Sequence, residues 1–134
     1  MEKASDIRMI RYTEKAFDPF TMSYSRRIYT LYPEGLVTCA LYAPGSRKMS
    51  RKEESRRAGA EDFRQMCAEL NACLESADRL DKYVDDCGAE ARIHRPFGRV
   101  DTVDRGYGNA ETDVGNIISE YLYTTAGMDW NTLW

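Results

Sequence analysis

Between Glu61 and Ala77 the apolar residues Phe63, Met66, Cys67, Leu70, Cys73, Leu74 and Ala77 recur at steps of three and four. That spacing puts them on one stripe of an α-helix. Glu61 and Asp62 stand in its first turn, where carboxylates suit the positive end of the helix dipole. Burying the stripe contributes on the order of 10 kcal/mol gross, most of it offset by lost chain entropy. A second helix is predicted from about Ala110 to Tyr123, with Val114, Ile117, Ile118, Tyr121 and Leu122 as its stripe and Asn109 as its N-cap.

The rest of the periodicity is that of strands. Residues 7–16 alternate, with either Ile10 and Tyr12 or Ile7 and Met9 facing inward, until Pro19 breaks the pattern. Tyr24 to Tyr32 and Leu36 to Tyr42 flank Pro33-Glu34-Gly35, a turn in which proline presets φ and glycine accepts φ > 0. With Tyr32 facing Leu36, one face of this hairpin carries the pairs Leu31/Val37, Tyr29/Cys39 and Arg27/Leu41 and is assigned to the core. The other carries Thr30/Thr38, Ile28/Ala40 and Arg26/Tyr42, which suits a partly solvated surface. A second hairpin, Ala89 to Arg95 and Arg99 to Arg105, turns at Pro96-Phe97-Gly98. The expected architecture is α+β: a mainly antiparallel sheet of about five strands with two helices packed on one face. The pattern leaves open how the two hairpins join.

A length of 134 residues fits a single domain over 1–134 and suffices for a core without staples. Of the four cysteines, Cys67 and Cys73 lie on the helix stripe and Cys39 in a strand, the positions of small core hydrophobes. The first twenty residues hold no apolar run of seven or more, so no secretory leader is expected. With no transmembrane stretch either, the expected compartment is the cytoplasm, and no membrane partner is expected.

Charge is unevenly placed. Residues 1–57 carry twelve Lys/Arg against seven Asp/Glu, and residues 58–134 carry seven against fifteen. The basic part culminates in a linker, 44–58, with Arg47, Lys48, Arg51, Lys52, Arg56 and Arg57. Clustered cations of this kind can hold nucleic-acid phosphates, although no aromatic residue is interleaved to stack a base. A solvated loop is the simpler reading.

Candidate chemistry is sparse. Cys67 and Cys73 lack the two-residue gap of a metal or redox pair. The acidic residues Asp78, Asp81, Asp85, Asp86 and Glu90 lack the order of a calcium loop. Gly106-Tyr107-Gly108 lacks a third glycine, and Glu111 and Asp113 would repel a phosphate there. No metal ligand set and no cofactor are expected. The only histidine, His94, has Arg95, Arg99 and Asp101 close in sequence, a candidate pocket for proton transfer, but no nucleophile motif accompanies it. The aromatic C-terminal tail, 124–134, contains Trp130 and Trp134, which either dock on the domain or cover a partner.

The hairpin Tyr29 to Val37 with Pro33-Glu34-Gly35, the stripe from Phe63, Tyr83-Val84-Asp85-Asp86, Pro96-Phe97-Gly98 and Gly108-Asn109 together give an order of strand, hairpin, helix, hairpin, helix. In this the chain resembles small bacterial domains of unknown function, over about residues 24–122. The basic linker is a departure from them. The resemblance implies a fold and brings no activity, ligand or catalytic residue.

No catalytic residue is assigned. The leading expectation is a non-catalytic protein-interaction or self-associating module, acting through a tyrosine-rich sheet face (Tyr24, Tyr32, Tyr42) or the tryptophan tail. Two alternatives stand beside it: nucleic-acid binding through residues 47–57, and an enzyme using His94.

Overall fold

A computed structural model describes residues 6–18, 22–42, 54–76, 89–103 and 110–128. Its strands are β1 (Met9–Asp18), β2 (Ser23–Leu31), β3 (Leu36–Tyr42), β4 (Glu54–Arg57), β5 (Ala89–His94) and β6 (Val100–Val103). They form one antiparallel sheet in the order β4-β3-β2-β1-β5-β6. Helix α1 (Ala60–Glu75) follows β4. Helix α2 (Ala110–Glu120) runs on into one π-helical turn, Tyr121–Thr125. The fold is therefore α+β, and β1 is the strand that joins the two hairpins, pairing with β2 on one side and β5 on the other.

One strand was not expected. The end of the basic linker, Glu54 to Arg57, pairs with β3 as a short edge strand, which brings the sheet to six. Its sequence, Glu-Ser-Arg-Arg, carries no apolar alternation because an edge strand buries little.

The β2–β3 register puts Leu31 opposite Val37, Tyr29 opposite Cys39 and Arg27 opposite Leu41, as the turn chemistry predicts. Gly35 sits at φ 102°, and its amide donates to the Tyr32 carbonyl at 2.9 Å. A Cβ there would lie 2.1 Å from the Ala58 carbonyl oxygen, so the turn and the start of α1 are fitted backbone to backbone. The phase of β1 is settled by its neighbours: Ile10 faces Leu31 and Ile93, and Tyr12 faces Tyr29 and Ala91, all of them buried.

The core lies between this sheet face and the helices. Phe63, Met66 and Leu70 of α1 and Val114 and Ile118 of α2, with Tyr121 and Leu122 beyond it, pack against Ile10, Tyr29, Leu31, Val37, Cys39 and Ile93. Cys67, Cys73 and Leu74 lie at the margin of this core, half-buried. Helix α1 begins at Gly59, whose amide donates to Asp62 Oδ2 at 2.9 Å, so Asp62 closes the first turn as well as complementing the dipole.

Candidate interaction surfaces

Side chains alternate across a strand, so the residues between the core positions face away from the helices. On this second face Arg11 lies between Thr30 and Arg92, Thr30 faces Thr38, and Arg26 faces Tyr42. No helix among the described residues covers it. Five cations among the described strand residues belong to it: Arg11, Lys15, Arg26, Arg57 and Arg92. Glu90, which accepts from Arg92 Nε at 2.8 Å, is the one carboxylate among the described strand side chains on this face. The Arg26 guanidinium lies 5.1 Å from the centre of the Tyr42 ring, a cation–π arrangement that stiffens both side chains.

The helix layer has the opposite sign. Glu61, Asp62, Glu69, Glu75, Asp113 and Glu120 are exposed there, and Arg64, paired with Glu61, is the cation among the described helix residues. The division of charge along the sequence thus becomes, in part, a division between the two sides of the molecule.

Three of the four residues expected to form a pocket are brought together. Arg95, 6% exposed, donates from Nε to Asp101 Oδ2 at 2.7 Å and from Nη1 to Asn71 Oδ1 at 2.7 Å, and Arg99 Nη2 stands 3.8 Å from the same Asp101 oxygen. Strand alternation turns these toward the helices, because Asp101 pairs with Ile93 of the core face. His94 is one residue out of phase and faces the other way, between Met9 and Val100. Burial and the charges of Arg11 and Arg92 hold its pKa below the usual imidazole value, which favours the neutral ring.

Asn71 also lines a groove of about 790 Å³, bounded by Ile7 and Arg8 before β1, by Pro33 of the turn, and by Phe63 and Cys67 of α1. The Cys67 thiol is pushed up to about 12 by burial, so at neutral pH it is a protonated thiol and not a nucleophile. Cys39 is held at about 12 for the same reason. Among the described residues no group of three or more His, Cys, Asp or Glu side chains is placed to hold a metal ion.

Sequence reasoning missed a polar network inside the core. Arg27 donates from Nη2 to Glu14 Oε2 at 2.8 Å, the Tyr123 hydroxyl donates to Glu14 Oε1 at 3.2 Å, and the Tyr29 and Tyr123 hydroxyls are 2.6 Å apart. Burial first, and then its bond to Tyr123, raises the Tyr29 pKa. Burial likewise lifts Tyr123 to about 12. The available signal was Arg27 itself: an arginine in core phase requires an acid, and Glu14 follows Ile10 and Tyr12 at the strand period.

Of the basic run, Arg56 and Arg57 are described. Arg57 stands on the cationic face opposite Leu36, and Arg56 lies 3.5 Å from Glu54 on the helix side of the sheet edge. Arg47, Lys48, Arg51 and Lys52 lie outside the described residues, as do Trp130 and Trp134. The first part of the tail turns back on the domain: Met128 is buried, and its amide donates to the Leu122 carbonyl at 2.9 Å. No helix among the described residues is long and apolar enough to cross a membrane.

No protein-family model matches the sequence, and no curated protein is significantly similar to it.

Proposed function

We propose that this protein is a non-catalytic interaction module that associates with further copies of itself, the cationic sheet face of one copy meeting the acidic helix layer of the next. The observation that carries the reading is the segregation of charge among the described residues: five cations with one carboxylate on the sheet face that no described helix covers, and six exposed carboxylates with one arginine on the helices. Opposite patches of this kind attract copies of the chain in a head-to-tail sense. Because the two patches differ, such a contact does not close as a two-fold dimer and grows with concentration. The cytoplasm is the compartment we assign, where free thiols such as Cys39, Cys67 and Cys73 stay reduced.

Catalysis through His94 draws little support, since its ring faces away from the Arg95–Asp101 pair. The presence of Arg57 on the same sheet face as Arg26 and Arg11 lends some support to nucleic-acid binding. The net charge of −3 weighs against it.

The test is sedimentation velocity at about 50 mM and about 500 mM salt, conditions that change the screening length roughly threefold. Association that rises with concentration at low salt and disappears at high salt supports the proposal. A monomer at both salts overturns it. Binding of a single-stranded oligonucleotide by a chain that stays monomeric would put nucleic acid in its place.

A further inference from the structure

The groove between α1 and the segment leading into β1 has a volume of about 790 Å³, the size of a small-molecule site. One wall is a single face of α1, where Phe63, Arg64, Cys67, Ala68 and Asn71 follow one another at helical spacing. Ile7 and Arg8 line it from the start of the chain, and Pro33 of the β2–β3 turn borders it too. Phe63 is buried, and Ile7 and Cys67 are half-buried, so apolar wall is already built before anything binds.

Charge at this groove runs against that of its surroundings. The helix layer is acidic, yet Arg64, the one cation among its described residues, lines the groove, and Arg8 lines it from a different element. A third arginine is held next to the lining. Arg95, 6% exposed, donates from Nη1 to Asn71 Oδ1 at 2.7 Å, and its charge reaches the Cys67 thiol, where it opposes the upward effect of burial. Asp101 accepts from Arg95 Nε, and Asp6 is the one carboxylate among the described lining residues.

We infer that this groove binds a monocarboxylate with an apolar body, such as a medium-chain fatty acid, its carboxylate held by Arg8 and Arg64 and its chain laid along Phe63, Ile7 and Ala68. A guanidinium presents parallel donors that match the two oxygens of a carboxylate. Arg64 is paired with Glu61, but the two side chains are 66% and 85% exposed, and a pair so solvated contributes little. A ligand carboxylate anchored by its chain can therefore take the place of Glu61. Two arginines against Asp6 leave one positive charge to neutralise, which fits a single carboxylate better than a doubly charged phosphate. The site lies within one copy and uses none of the five sheet-face cations, so it is independent of the self-association reading.

The test is an NMR titration of the full chain, dilute enough to be monomeric, with sodium octanoate, following the backbone amides of residues 6–8 and 60–71. Saturable shifts are expected there. Octanol, the same chain without charge, should bind at least about tenfold more weakly, and octylammonium should leave those amides unmoved. Arg8→Gln together with Arg64→Gln should weaken octanoate binding about tenfold or more, and Asp6→Asn should tighten it severalfold. Ala68→Trp, at an exposed helix position, fills the groove and should abolish binding while the melting temperature stays near that of the parent. Equal affinity for octanoate and octylammonium, tighter binding of octyl phosphate, shifts that do not saturate, or unchanged affinity in the arginine double variant or in Ala68→Trp would overturn the inference.

Discussion

Arg27 of β2 and Glu14 of β1 face each other across the sheet at 2.8 Å, with the arginine 2% exposed. Tyr123, just beyond α2, donates to the same glutamate, so the pair ties the C-terminal helical turn to the centre of the sheet. Breaking it from one side leaves a buried charge without its counterion. Glu14→Gln is expected to lower stability by about 3 kcal/mol, while the double replacement Glu14→Gln, Arg27→Met costs less because no charge is stranded. Urea unfolding of the two variants measures the difference, and a double variant that is the weaker of the two would contradict this account of the pair.

A different kind of contact governs the turn before β3. Gly35 combines φ 102° with a position where any Cβ meets the Ala58 carbonyl oxygen. Gly35→Ala should therefore cost about 2 kcal/mol or more, through both strain and displacement of the backbone that leads into α1. Thermal unfolding reports it. A loss no larger than that of a surface substitution would show that the two backbone segments are not held together as described.

The thiols predict the alkaline limb of stability. Burial raises Cys39 and Cys67 from the ordinary thiol value of 9.0 to about 12, so between those values the folded chain keeps protons that the unfolded chain loses. Their contribution is complete below pH 9 and is lost as pH rises toward 12. His94 acts at the other end: its lowered pKa means that the unfolded chain takes up its proton first, so stability falls as pH drops below about 6.5. Cys39→Ala with Cys67→Ala should flatten the alkaline limb, and His94→Asn the small acidic one, in melting temperatures recorded across pH.

Much of the fold was legible, for local reasons. Pro33-Glu34-Gly35 set the β2–β3 register, and the stripe from Phe63 to Leu74 identified the buried side of α1, since both signals reside in neighbouring residues. What the sequence hid is non-local. The place of β1 between the hairpins depends on Ile10 meeting both Leu31 and Ile93, and no periodicity records a pairing across eighty residues of chain. β4 escaped notice because its pattern is polar at a sheet edge. The candidate pocket divided because strand alternation puts His94 and Arg95 on opposite faces, which adjacency in sequence conceals. The cationic face became visible only once the register had aligned Arg11, Arg26 and Arg92 on it.

The central claim is that two unlike charged faces bring copies together. Charge exchange tests it most directly: one variant carries Arg11→Glu, Arg26→Glu and Arg92→Glu on the sheet face, and another carries Glu69→Lys, Glu75→Lys, Asp113→Lys and Glu120→Lys on the helices. Sedimentation at low salt is expected to show each variant alone as a monomer, because its reversed face now repels the intact one. An equimolar mixture is expected to associate, because the acidic sheet face of the first complements the basic helix layer of the second. A mixture that stays monomeric, or either variant associating alone as the parent protein does, would contradict the account.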